Sequence, residues 1–301
     1  MKIMQIESLE YFYKVAGAKS ISKVANSAHI SQSALSQQIS KLEDSLGCIL
    51  LNRSNKGVEL TEKGQIVYKY ADSIVRTYEA MIDHLRDEEQ NIHSIKIEAN
   101  WSIANYSMPC VMYKMKNKFP KNDYQLNSNE GRKIEENLIN GITDFGVIYG
   151  KPQDKELAYF KIGLDKLVLV SSPDYPIPET VQAKDLVDHP FIMLSDKMYV
   201  KEMLREKLRE VDRSVDDLKI LYNSDSMESV KESVLNQFGI GFLPYVAIKK
   251  DLYRKELKLI QIEDFSIEYE MYLVYHKKIN EDPVLKEFNL FFQNIAPKSL
   301  C

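Results

Sequence analysis

The chain has 301 residues and a mass of 34.9 kDa, enough for two or three domains that each bury a core. Its 44% hydrophobic and 28% charged content is that of an ordinary soluble globular protein, and no stretch approaches the roughly 18 apolar residues of a membrane span. The formal net charge of −4 does not favour a polyanionic partner for the chain as a whole.

The opening run, MKIMQIESLEYFYKV, reaches Glu7 and Glu10 before any long apolar stretch, which is not the pattern of a secretory signal. Cys48, Cys110 and Cys301 lie far apart and are odd in number. That fits a reducing compartment and argues against a disulfide framework. The expected location is the cytoplasm.

In chain order, Leu9, Phe12, Tyr13 and Ala16 form one helical stripe. Ser20 is placed to cap a second helix with Ile21, Val24, Ala25 and Ala28 on its buried side. Ser31 is placed to cap a third, SQSALSQQISKLEDSLG, which stops at Gly47, the residue best suited to a left-handed terminus. In that helix Leu35, Ile39, Leu42 and Leu46 keep helical time, whereas Gln32, Ser33, Ser36, Gln37 and Ser40 form a polar face almost free of charge. Two strand-like runs, Ile49 to Arg53 and Val58 to Thr61, flank the turn residues Ser54-Asn55-Lys56-Gly57. Three helices and a hairpin are the order of a winged helix-turn-helix.

From Thr61 a long helix carries Ile66, Tyr70, Ile74, Tyr78, Met81 or Ile82, and Leu85 at steps of three and four. It reads as a linker or a coil between two copies of the chain; the alternative is a helix packed on its own domain. Beyond residue 92 the pattern changes to strands alternating with helices, which predicts mainly parallel sheets. Strands are expected over Ile95 to Ala99, Tyr124 to Ser128, Phe145 to Tyr149, Leu167 to Ser171, Phe191 to Leu194, Lys219 to Tyr222, Gly241 to Leu243 and Glu268 to His276. A helix over Ile103 to Phe119 contains Pro109, and Pro283 to Ile295 forms the last helix.

The segments LEYFYKVAGAKSISKVA and ISQSALSQQISKLEDSLGCILLNRSNKGVELTEKG resemble a LysR-type transcriptional regulator. The Ser-Gln-Ser-Ala-x-Ser core, the Ile-x-x-Leu-Glu-x-x-Leu-Gly helix end, Arg53, and Leu60, Thr61 and Gly64 all stand at family spacing. The resemblance implies an α/β protein overall. Residues 1–62 would be a winged helix-turn-helix, 63–91 a linker helix, and 92–301 a two-lobed α/β effector domain like a periplasmic binding protein. Lobe 1 would span about 92–163 and 268–301, and lobe 2 about 164–267.

Short polar side chains on a recognition helix can approach base edges and phosphates closely, and Gln can pair with adenine N6 and N7. The expected DNA-binding residues are therefore Ser31, Gln32, Ser33, Ser36, Gln37, Ser40, Arg53 and Lys56. Residues 1–65 carry eight cationic and six acidic side chains, so the head is net +2 on an acidic body. Two departures stand out. Gln37 occupies the family's usual Arg position, and Leu50-Leu51 replaces Leu-Phe. Losing that Arg predicts weaker salt dependence or altered base preference.

In the remainder, EANWSIANYSMPCVM resembles the family's first strand-loop-helix and puts Asn100, Trp101 and Ser102 before a helix start, where anions are favoured. GITDFGVIYG offers Tyr149 at a strand end. Ser128 and Asn129, Ser195 and Asp196, and Ser224 and Asp225 stand at further strand-to-helix junctions, where α/β sheets place ligands. GIGFLP matches the family's late glycine motif and adds Gly239. N-capping without ligand contact is the alternative role for any one serine.

The resemblance implies double-stranded DNA and other copies of the chain as partners, as a dimer through the linker helix and then a tetramer, with RNA polymerase as a further partner. It implies a small effector of unknown identity, no cofactor and no membrane. An enzyme is not expected. Asp144-Phe145-Gly146 lacks the other kinase motifs, and there is no HExxH, CxxC, GxSxG or Walker A sequence. His29, His84, His93, His189 and His276 have no metal-ligand spacing. The alternatives are a cytoplasmic solute-binding sensor and a regulator that works without a small effector.

Overall fold

The computed structural model describes residues 5–54, 57–90, 94–195 and 199–299. Lys56 and Asp196 lie outside the described residues. The chain divides into two compact units, Met1–Asn91 with Asn140–Ile142, and Ile92–Ile139 with Thr143–Cys301.

The first unit opens with α1 (Ile6–Ala18), α2 (Ile21–Ser27) and α3 (Gln32–Leu46). Side-chain caps set two of these starts. Ser20 Oγ accepts from the Lys23 amide at 3.3 Å, and Ser31 Oγ accepts from the Ala34 amide at 3.1 Å. Such a cap contributes about 1 kcal/mol. The end of α3 is set by Gly47, whose φ of +67° is left-handed. Leu9 and Phe12 of α1, Val24 and Ala25 of α2, and Leu35, Ile39 and Leu42 of α3 close one core. Leu46, on the same predicted stripe, remains 41% exposed at the helix end.

The hairpin pairs β1 (Leu51–Ser54) with β2 (Gly57–Leu60), Leu51 opposite Leu60. It starts later than the predicted Ile49 because Leu50 bonds elsewhere. Glu43 Oε1, near the end of α3, accepts from the Leu50 amide at 2.7 Å and the Leu51 amide at 3.2 Å. Thr61 Oγ1 accepts from the Gly64 amide at 2.9 Å and donates to the Ile49 carbonyl at 2.8 Å. It thereby caps α4 (Glu62–Gln90) and ties its start to the hairpin.

The 29-residue α4 has two contrasting faces. Ala71, Val75 and Ala80 are buried, and Ile66, Tyr70, Ile74, Tyr78, Met81 and Leu85 are exposed, Tyr70 at 66%. Tyr13 fastens α1 to α4. Its hydroxyl donates to Asp72 Oδ1 at 2.7 Å, and its ring stacks on Tyr68 at 5.2 Å.

The second unit runs through β3 (Ser94–Ala99), α5 (Met108–Lys118), β4 (Asp123–Ser128), α6 (Gly131–Ile139), β5 (Phe145–Tyr149) and β6 (Leu157–Ser171). It continues with β7 (Thr180–Val181), β8 (Pro190–Leu194), α7 (Tyr199–Glu210), β9 (Lys219–Ser224), α8 (Met227–Leu235) and β10 (Gly241–Pro244). It closes with α9 (Tyr245–Tyr253), β11 (Lys258–Ile262), β12 (Ile267–His276) and α10 (Pro283–Ser299). The main sheet has the order β4-β3-β5-β12-β6-β11-β7, with β10 also on β6, and β8 pairs with β9.

The expectation of mainly parallel sheets needs correction. β3 lies parallel to β4 and β5, β8 to β9, and β7 to β11. But β12 enters between β5 and β6 from far down the chain and runs against both. β10 and β11 also run against β6. Alternation of strand and helix along the sequence does not set the direction of a strand inserted late.

The expected helix over Ile103 to Phe119 is also divided. Ile103–Ser107 is a π-helical turn, and α5 follows with Pro109 in its first turn. Proline cannot donate the regular helical hydrogen bond, so the winding changes just ahead of it. Cys48 is free, whereas Cys110 is disulfide-bonded, one bridged sulfur in a chain whose cysteine count argued against a framework.

Gly64 sits where a Cβ would lie 2.0 Å from the Leu50 carbonyl oxygen. Gly64→Ala is expected to lower the first unit's unfolding free energy by about 1–3 kcal/mol, measured by urea denaturation followed by circular dichroism. An unchanged midpoint would refute this packing.

Candidate functional site

The core face of α3 turns its other side outward. Gln32, Ser33, Gln37 and Ser40 are exposed, and Ser36 is partly buried. Ser31 Oγ, besides capping the helix, lies 2.9 Å from Ser33 Oγ, so these hydroxyls hold each other at the helix start. The amides and hydroxyls that remain can both donate and accept, as base-edge pairing requires. Arg53 on β1 is 39% exposed, with its guanidinium 3.8 Å from Glu43 Oε2. Glu43 therefore holds the hairpin amides with one oxygen and faces Arg53 with the other. Lys41 is exposed on α3, one turn beyond Gln37. Sequence reasoning missed it, although its spacing from Gln37 placed it on that side.

The second unit contains a cavity of about 660 Å³, within the range of small-molecule sites. Asn100, Trp101 and Ser102 reach it from the end of β3, and Tyr149 and Lys151 from the end of β5. Gly131 and Arg132 come from the start of α6, Met227 from the start of α8, and Leu194 and Glu202 from β8 and α7. Strand ends and helix starts dominate the wall, as in open α/β sheets.

A hydrogen-bonded network fixes the back wall. Asn100 Oδ1 accepts from the Tyr149 amide at 2.9 Å, and its Nδ2 donates to the Asn129 carbonyl at 3.2 Å. The Ser102 and Tyr149 hydroxyls are hydrogen-bonded. Tyr149 meets Tyr269 edge-on at 4.6 Å, and the two donate to Asp165 Oδ2 at 3.5 and 3.2 Å. Asp165 Oδ1 accepts from the amides of Lys166 at 2.8 Å and Val246 at 3.2 Å. Burial pushes the Asp165 carboxyl above the usual carboxylate range, against the pull of these donors. Burial likewise raises Tyr149 and Tyr269, so both remain protonated donors.

The rim is charged. Arg132 and Lys151 are exposed, and neither has an ion-pair partner among the described residues. Of the rim acids, Glu135 Oε2 accepts from the Gln153 and Asp154 amides at 2.8 and 3.3 Å, and Glu202 pairs with Arg205. Glu130 is the third rim acid. Nearby, the Tyr106 hydroxyl of the π-turn donates to Glu228 of α8. Glu228 also lies 2.8 Å from Lys231, which is 3.5 Å from Asp251. Burial pushes Glu228 up, but Lys231 and Tyr106 outweigh it and hold the carboxyl below its ordinary value.

Of the expected effector residues, Asn100, Trp101, Ser102 and Tyr149 come together on the cavity wall; Asp196 lies outside the described residues, and the others are not among the described lining residues. Asn129 lies behind Asn100. Ser128 ends β4 opposite Ala99. Ser195 donates its amide to the Ser224 carbonyl at 2.8 Å, with its hydroxyl buried and without a partner among the described residues. Ser224 Oγ accepts from the Ser226 amide at 3.1 Å, and Asp225 is exposed. Gly239 serves packing, since a Cβ there would lie 2.3 Å from the Pro190 carbonyl oxygen. Sequence reasoning missed Arg132, Lys151 and Glu202. The first two follow Asn129 and Tyr149 by a few residues, whereas nothing in the sequence sets Glu202 apart from the other charges of α7.

Residues 6–65 match the bacterial regulatory helix-turn-helix protein, lysR family, and residues 88–295 match the LysR substrate binding domain. A probable RuBisCO transcriptional regulator of Phaeodactylum tricornutum is 29% identical over 271 residues, covering 87% of each chain. An uncharacterized HTH-type transcriptional regulator of Methanocaldococcus jannaschii is 24% identical over 287 residues, covering 94% of this chain and 97% of its own. Among solved structures, CbnR, a LysR family transcriptional regulator, superposes with a TM-score of 0.73 at 16% identity, covering 98% of this chain and 99% of its own. Vibrio fischeri DarR in complex with DNA gives 0.57 at 23% identity, with the same coverage. The chain belongs to the LysR family of transcriptional regulators, DNA-binding proteins rather than enzymes, and its second unit is the family's effector-binding domain.

Proposed function

We propose that α3 lies in the major groove with Gln32, Ser33, Ser36, Gln37 and Ser40 towards the bases, and with Ser31, Lys41 and Arg53 towards phosphates. The observation that carries this reading is the uncharged donor–acceptor face exposed on a helix whose other side is locked into the core. The relatives' named RuBisCO role is theirs; for this chain, the region upstream of its own gene is the first operator to examine.

The cavity takes a small carboxylate. Among the described residues neither Arg132 nor Lys151 at its rim is within ion-pair distance of an acid, Lys151 acting on Glu270 at longer range, and the starts of α6 and α8 open onto it. Occupancy changes the angle between the two halves of the effector domain and so the spacing of the heads, which requires different affinities for the two arrangements. The exposed stripe on α4 pairs two chains, because six large apolar residues at helical spacing are what a coiled seam buries. A tetramer of two such dimers, contact with RNA polymerase and a cytoplasmic location complete the family reading. Among the described residues no helix is long and apolar enough to cross a membrane.

Footprinting at two salt concentrations is expected to show a protected, salt-sensitive palindrome upstream of the gene. No protection there, together with none in selection from random DNA, would overturn the groove assignment. Gln37→Arg is expected to shift the preferred base at one operator position from adenine towards guanine with the slope of log affinity against log salt little changed; a slope steeper by about 0.9 with the same preferred base would place residue 37 on the backbone instead. Ile74→Glu is expected to shift sedimentation from dimer or larger to monomer, and a retained assembly would remove α4 from the interface. In calorimetry with short mono- and dicarboxylates, Arg132→Gln is expected to weaken binding about tenfold, the loss of one charge-assisted hydrogen bond. Absence of any binding to the native chain would favour a regulator that works without a small effector.

A further inference from the structure

The second unit holds another cavity, of about 580 Å³. It originates in a break in a strand ladder. Leu167 of β6 pairs with Pro244 of β10 on one edge and with Ile267 of β12 on the other. β11 occupies that same second edge, from Lys258 opposite Ser171 to Ile260 opposite Leu169. Six residues thus separate Ile260 from Ile267, while only Val168 separates their partners on β6. Gln261 and Ile262 turn away from β6 and pair with Thr180 and Val181 of β7, and the chain comes back through Phe265 and Ser266. The space left beside Val168 is the cavity. Phe242, Tyr245, Leu259 and Phe265 supply much of its wall.

We infer that this cavity is a second small-molecule site, distinct from the cleft, which takes a compact aromatic or branched apolar body bearing one anionic group. Its volume suits such a ligand, and aromatic and branched walls favour an apolar body. Lys166 is the one charged side chain among the described lining residues. Its ammonium lies 2.6 Å from Glu268 in an exposed pair. Pairs of that kind hold weakly, which leaves the ammonium free to turn to an anion at the mouth. Lys166 follows Asp165, the carboxyl at the end of the network behind the cleft. An occupant against Val168 therefore bears on the same segment of β6 that supports the first cavity.

The test uses the full chain and anilinonaphthalene sulfonate, an aromatic body with one anionic group, followed by fluorescence. Saturable binding of one probe per chain is expected. Val168→Phe, which fills the cavity, is expected to weaken it about tenfold, and Lys166→Gln about threefold. Because Val168→Phe alters a central strand, Leu259→Gln at the 40% exposed rim serves as a second variant, with at least a threefold loss expected on the same scale. Arg132→Gln and Ile74→Glu are expected to leave the affinity unchanged. Non-saturating binding, or affinity unmoved by Lys166→Gln and Leu259→Gln, would overturn the proposal. Loss with Arg132→Gln would assign the probe to the cleft, and loss with Ile74→Glu to the α4 stripe; either would overturn it too.

Discussion

The antiparallel ladder between β6 and β12 is the constraint on which the second unit depends. It runs from Leu157 opposite His276 to Leu167 opposite Ile267. β5 docks on the outer edge of β12, while β10 and β11 take the far part of β6. The two halves of the domain are thus joined through these strands. Tyr269 and Asp165 are partners in the ladder's register and are also joined through their side chains. The same pair supports Tyr149 on the back wall of the cleft from behind. Buried polar groups must find partners, so a relative shift of the strands has to exchange one complete set of hydrogen bonds for another. Such an element favours discrete arrangements over continuous bending.

In the first unit, Glu43 has the corresponding position. One carboxylate accepts the amides that begin the hairpin and faces the hairpin's exposed arginine. Helix and wing are therefore held as one body rather than as two neighbours. Tyr13 extends that body to the long helix through Asp72 and Tyr68. Each of these contacts replaces a flexible joint by a hydrogen bond or a packed ring, which suits a head whose alignment on a groove depends on where its helix ends point.

How much of this was legible depended on the kind of signal. Ser20, Ser31 and Gly47 mark helix ends because local backbone chemistry acts within one turn, and the structure uses all three in that way. Phe145 to Tyr149 was legible to the residue because a strand buried on both faces is continuously apolar. Only the last five residues of β6 were anticipated, since its first part mixes buried and exposed positions with three charged residues. The direction of β12 was not legible, as it is decided by where a distant segment enters the sheet. Strand ends pointed to four residues that line the cavity, but several of the expected serines serve caps and turns. The charges that line the rim come partly from helix interiors, which sequence position alone does not distinguish from solvated surface.

The near absence of charge on the outward face of α3 bears on how the protein travels before it settles. Attraction to DNA of arbitrary sequence comes mostly from cations opposite phosphates. In the arrangement proposed for α3, a reading surface made of amides and hydroxyls would add little to that attraction and would withhold its contribution until the base edges match. Wrong sites would then be left quickly, and occupancy of the right site would track the number of free molecules closely.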